Sequence, residues 1–144
     1  MGDINLIYPA VLTNLITLLL FLNSKSHDKC LLFIMIIGQL ILISGESDKN
    51  LDKIQLSHIL FTISLTFGSC YFNEIHNKIF VFILLLITII SRYILSECLF
   101  NMSNSHYEFE FEESFDFINY DYLFLTSLSI ISYRLFKDKI FSNL

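Results

Sequence analysis

Proline, tryptophan and alanine are almost missing from this chain. Its 144 residues include one proline, no tryptophan, four glycines and three cysteines, and Ala10 is the single alanine. With so little Pro and Gly there is no linker composition to divide the chain, and we find no internal repeat, so residues 1–144 read as one domain. Cys30, Cys70 and Cys98 form no CxxC, and the topology derived below puts Cys98 at the opposite membrane boundary from the other two, which excludes a disulfide framework. Basic residues number only nine against fourteen acids, giving a net charge of −5; they are scattered, and nucleic-acid binding is excluded as a class. No Gly-rich phosphate loop, Ser-His-Asp order or zinc-ligand spacing occurs, so no cofactor and no metal is expected.

What the chain does have is apolar length. Hydrophobic residues make up 54% and charged residues 16%, with a mean hydropathy of +0.62. The apolar residues gather into five segments, 6–22, 30–44, 54–72, 79–95 and 120–136, and the charges fall almost wholly between them. A lipid core about 30 Å thick takes about 20 helical residues to cross, because lipid offers no partner to an open backbone. Runs such as 31–37 and 81–87 are apolar all round, as lipid-facing helices are. The expected fold is therefore all-α: an integral membrane bundle of five transmembrane helices, or four if the short second segment is re-entrant. Short connections at 24–29, 45–53 and 73–78 imply an up-and-down topology. The richness in Ile, Phe, Asn, Tyr and Lys suggests AT-biased coding, as in many large DNA viruses.

Orientation follows from the basic residues, which are retained on the cytoplasmic side. Five spans place Lys25, Lys29, Lys78, Arg134, Lys137 and Lys139 on one side and Lys49 and Lys53 on the other, with Arg92 near that second edge. The amino terminus is expected outside or in a lumen, and the carboxyl terminus in the cytoplasm. Asn101-Met102-Ser103, a glycosylation sequon with Asn101 as the candidate acceptor, falls on the lumenal side. Tyr8, Tyr93, Tyr120 and Tyr122 near one boundary, and Tyr71 and Tyr133 near the other, suit interfacial belts.

Three features could carry chemistry. In the third segment Gln55, His58, Thr62, Thr66, Ser69 and Asn73 recur every three or four residues and share one helix face, which reads as a packing seam or as the wall of a polar cavity. Gln39, His58, Arg92 and Glu97 share the lumenal half of the membrane, where ionised and polar side chains face protein or water, and form a candidate intramembrane cluster. His27, His76 and His106 fall in expected loops, so His58 has no histidine partner at metal-ligand spacing in its own helix. Finally, loop 103–119 carries Glu108, Glu110, Glu112, Glu113 and Asp116 without a basic residue, and alternates aromatic and acid over 107–112. That loop reads as a solvated cover anchored by Phe, or as a cation-attracting mouth.

These features suggest a small multi-pass membrane protein, non-catalytic, acting through helix packing or assembly with itself or other membrane partners in the lipid bilayer. A channel or small-solute transporter using the polar stripe and the acidic mouth is the alternative. A membrane enzyme with a lumenal site around His58, Arg92 and Glu97 is the second.

Overall fold

The computed structural model describes residues 6–95 and 119–142; Glu97, Cys98, Asn101 and residues 103–118 of the acidic loop lie outside the described residues. Among the described residues there are five α-helices and no strand: α1 (Ile7–Asn23), α2 (Ser26–Asp48), α3 (Leu51–Tyr71), α4 (Ile75–Leu95) and α5 (Tyr120–Ser142). Pro9 sits in the first turn of α1, where its missing N–H has no helical acceptor to lose. Lys49 adopts the left-handed conformation (φ 51, ψ 40) and closes α2 with its N–H on the Gly45 carbonyl. Asn50 then caps α3, its side chain accepting from the Lys53 N–H at 3.1 Å.

The second helix departs most from expectation. It is 23 residues long, extending well beyond 30–44 at both ends, and this removes the shortness that raised a re-entrant alternative. Its polar first turn is helical because Asp28, 1% exposed, is used as a buried acceptor. His27 and His76 accordingly lie in the first turns of α2 and α4 and not in loops. By length and composition two helices, Ser26–Asp48 and Ile75–Ile94, suffice to cross a membrane. The five-span expectation meets that criterion only in part, because α1 has 17 residues and the apolar content of α3 and α5 is diluted by polar and charged side chains.

Packing follows the chain. The α2 helix lies against α1 and α3, α3 also meets α4 and α5, and α4 packs on α5. The core holds Leu32 and Met35 of α2, Leu65 of α3, Val81 and Leu85 of α4, and Phe124 and Ile131 of α5, with Phe72 beneath the α3–α4 turn. Gly45 sets the approach of α2 to α3: a Cβ there would stand 2.9 Å from both Ile54 Cγ1 and Lys53 Cβ. Small residues permit such close helix contact. Large apolar side chains are exposed on every helix, among them Leu15, Leu19, Phe33, Ile37, Ile63, Phe67, Ile83, Ile87, Ile90 and Leu125.

Candidate functional site

Helix α3 carries His58 to the middle of the α1–α2–α4–α5 surroundings. Its ring stacks on Tyr120 of α5, with centroids 6.5 Å apart and planes 26° apart, and the Arg92 charge on α4 is close enough to act on it. Two cavities meet at this histidine. One, of about 290 Å³, is lined by residues that include Leu6, Ala10, Gln39, Leu84, Ser91 and Phe124. The other, of about 320 Å³, runs along α3 past Ile59, Thr62, Thr66 and Phe67 to Tyr120 and Leu123.

The Gln39 amide is oriented by its neighbours. Thr17 gives its hydroxyl proton to the Thr13 carbonyl at 2.7 Å. It can therefore only accept from Gln39, whose Nε2 donates to Thr17 Oγ1 at 3.1 Å. That fixes Oε1 as the free end, and it is buried without a hydrogen-bond partner. An unmet buried acceptor costs about 1–3 kcal/mol, which marks it as a place where a donor would be welcome.

Three of the four residues of the candidate cluster are among the described residues. Gln39 and His58 line the same cavity. Arg92 donates through Nε to Asp121 Oδ1 at 2.7 Å, and Glu97 lies outside the described residues. Sequence reasoning missed Asp121. The available signal was its place in the first turn of α5, where Asn119 accepts from the Asp121 and Tyr122 N–H groups and an acid complements the helix dipole. The α3 stripe divides likewise. Thr62 and Thr66 line the second cavity, and Ser69 is buried with its hydroxyl on the Thr66 carbonyl. Gln55 is half-buried near the start of the helix, and Asn73 belongs to the α3–α4 turn. The most buried polar positions of α3 also include Ser57 and Ser64, whose hydroxyls return to the Ile54 and Leu60 carbonyls of their own helix.

A second polar assembly, unexpected from sequence, ties the opposite end of the bundle. The Asp28 carboxylate accepts from the Asn73 N–H at 3.1 Å, the Glu74 N–H at 3.0 Å and Asn77 Nδ2 at 2.8 Å, so a side chain of α2 caps the amino terminus of α4. Glu74 reciprocates through Oε1, which accepts from the Lys25 N–H at 2.8 Å. Asn77, fully buried, also donates to Ser24 Oγ at the end of α1. From α5, Arg134 donates to the Ser69 and Phe72 carbonyls at 2.8 and 2.6 Å, closing the carboxyl end of α3. Buried Lys78 pairs with Asp138 of α5 at 2.5 Å.

Among the described residues no group of three His, Cys, Asp or Glu side chains could hold a metal ion, and Cys30 and Cys70 are exposed free thiols. No protein family, curated protein or solved structure matches this chain. The geometry at His58 suits holding one polar head within otherwise apolar walls. The assembly around Asp28 is internally committed to capping.

Proposed function

We propose that this chain is a five-span integral membrane protein, without catalytic activity, that works by assembling with a second copy of itself in the bilayer. Its amino terminus faces outside or a lumen and its carboxyl terminus the cytoplasm. The observation that carries the reading is the inversion of polarity: exposed Leu, Ile and Phe on all five helices, against buried Asp28, Gln39, Asn77 and Lys78 inside. In water that outer surface would be a vast apolar patch, whereas in lipid it is the solvated face. Exposed Tyr8, Tyr93 and Tyr122 at one end and Tyr71 and Tyr133 at the other fit two interfacial belts.

Support for self-assembly comes from α1, which buries only Ala10 and Thr17. Its outer face presents Tyr8, Leu12, Leu15, Leu19 and Leu22, each more than half exposed, at alternating steps of four and three. That spacing keeps one stripe in register along a partner helix and is self-complementary about a two-fold axis.

The test has two parts. Alkaline carbonate should leave the protein in the membrane, and a cysteine introduced in 108–113 should be labelled from the side opposite one introduced at Lys137. Labelling of both from one face overturns the five-span topology. In a background lacking the native cysteines, Leu15→Cys or Leu19→Cys should cross-link to dimer while Phe33→Cys should not. Equal yields at all three positions would overturn the α1 interface.

A further inference from the structure

We infer that the cavity of about 290 Å³ beside Gln39 is a binding site for a neutral, single-chain lipid whose head carries one hydroxyl. This goes beyond assembly in the membrane and assigns the protein a ligand. The argument rests on the sense of the hydrogen bonds around the cavity. Every hydroxyl lining it has already given its proton to its own helix: Thr13 to the Pro9 carbonyl at 2.8 Å, Thr88 to the Leu84 carbonyl at 2.8 Å and Ser91 to the Thr88 carbonyl at 2.8 Å. Gln39, 5% exposed, gives one Nε2 proton to Thr17 and keeps Oε1 without a partner.

The hydroxyls and Gln39 Oε1 therefore present acceptors, while the His58 ring contributes an N–H in either tautomer, so a ligand head completes this lining by giving a proton to Oε1. Acceptor-only heads, such as an ester or a carboxylate, would leave Gln39 Oε1 unmet. A primary ammonium would supply donors, but only by leaving water for apolar walls whose lining, among the described residues, holds no carboxylate. A neutral alcohol meets Oε1 at the smallest desolvation cost. The remaining walls, including Leu6, Ala10, Leu84 and Phe124, accept an alkyl chain. The volume lies at the small end of ligand cavities, which points to one chain and not to two chains or a fused-ring sterol.

The experiment uses the full chain purified in maltoside micelles, with 1-decanol, methyl nonanoate and decane as probes. A decanol bearing a terminal diazirine serves for photolabelling, and labelled residues are read by mass spectrometry. Labelling should fall on cavity residues and be competed by 1-decanol about tenfold more effectively than by methyl nonanoate or decane, the scale of one buried hydrogen bond. Equal competition by all three, or labelling spread over the outer faces, overturns the proposal. Two variants test the site from different helices. Gln39→Leu should abolish the preference for alcohol over ester while leaving decane competition intact, and Ala10→Leu should fill the cavity and remove labelling while keeping the Gln39–Thr17 bond. Undiminished labelling in folded Ala10→Leu also overturns it. Should either variant fail to fold, the wild-type probe series decides alone. The binding series is independent of span number, so a wrong topology and a wrong ligand are separable results.

Discussion

Asp28 and Glu74 cap each other's helices. The Asp28 carboxylate in the first turn of α2 takes the N–H groups of Asn73 and Glu74 that lead into α4, and the Glu74 carboxylate takes the Lys25 N–H that leads into α2. Unsatisfied N–H groups at helix starts are thus served by chain more than forty residues away, and the starts of α2 and α4 are pinned together.

The two halves of this exchange should differ in weight. Asp28→Ala strips acceptors from the Asn73 and Glu74 backbone and from fully buried Asn77, and should lower stability by about 3 kcal/mol. Glu74→Gln retains an acceptor for the exposed Lys25 contact, and its effect should stay below about 1 kcal/mol. Thermal unfolding in detergent compares them; equal losses would contradict the assigned geometry.

Arg134 closes α3 with two parallel bonds to the Ser69 and Phe72 carbonyls. Lysine keeps the charge but loses the fork, so Arg134→Lys should cost about 1–2 kcal/mol and fail to restore wild-type stability relative to Arg134→Met. A fully rescuing lysine would mean that charge alone matters there. The comparison needs only melting temperatures for three proteins.

Lys78 and Asp138 are an unequal pair, with Lys78 buried and the Asp138 side chain 36% exposed. Removing the acid strands a buried ammonium, whereas removing the lysine leaves a carboxylate that reaches water. Asp138→Asn should therefore destabilise by about 2 kcal/mol more than Lys78→Met, the apolar stem of which still packs. The reverse order in denaturant or thermal scans would remove the buried-cation account.

Gly68 stands against the fully buried Phe72 ring. An added Cβ would lie 2.8 Å from Phe72 Cε2 and 3.1 Å from Val81 Cγ2. The ring has nowhere to retreat, and Gly68→Ala should cost about 1–3 kcal/mol despite the better helix propensity of alanine. Stabilisation on the same measurement would show that the α3–α4 corner can relax.

The helices were legible because long apolar runs leave few other structures, and two of the five segments, 6–22 and 54–72, lie within three residues of their helices at both ends, while the polar end of α5 ran six residues past its segment. The start of α2 was not, since Ser26, His27 and Asp28 look like loop until the distant Asn73–Asn77 segment is known to need an acceptor. At the candidate site, Gln39 and His58 were readable as polar residues at one depth in apolar helices. The Asp121 partner of Arg92 was hidden by sequence distance, as was the commitment of Ser57 and Ser64 to their own backbones, which lets a serine pack as a small apolar residue.

The reciprocal capping around Asp28 also sets how the bundle can move. Ends of α1, α3 and α5 and the starts of α2 and α4 are stitched together there, whereas the His58 cavities lie toward the other end. Any widening of those cavities must then be a splaying of helices about a fixed base, like the blades of a fan about its rivet. A 20-residue helix is about 30 Å long, so a tilt of only about 5° would move its far tip by about 2.5 Å. That opens a side entrance between the helices without breaking a bond at the base.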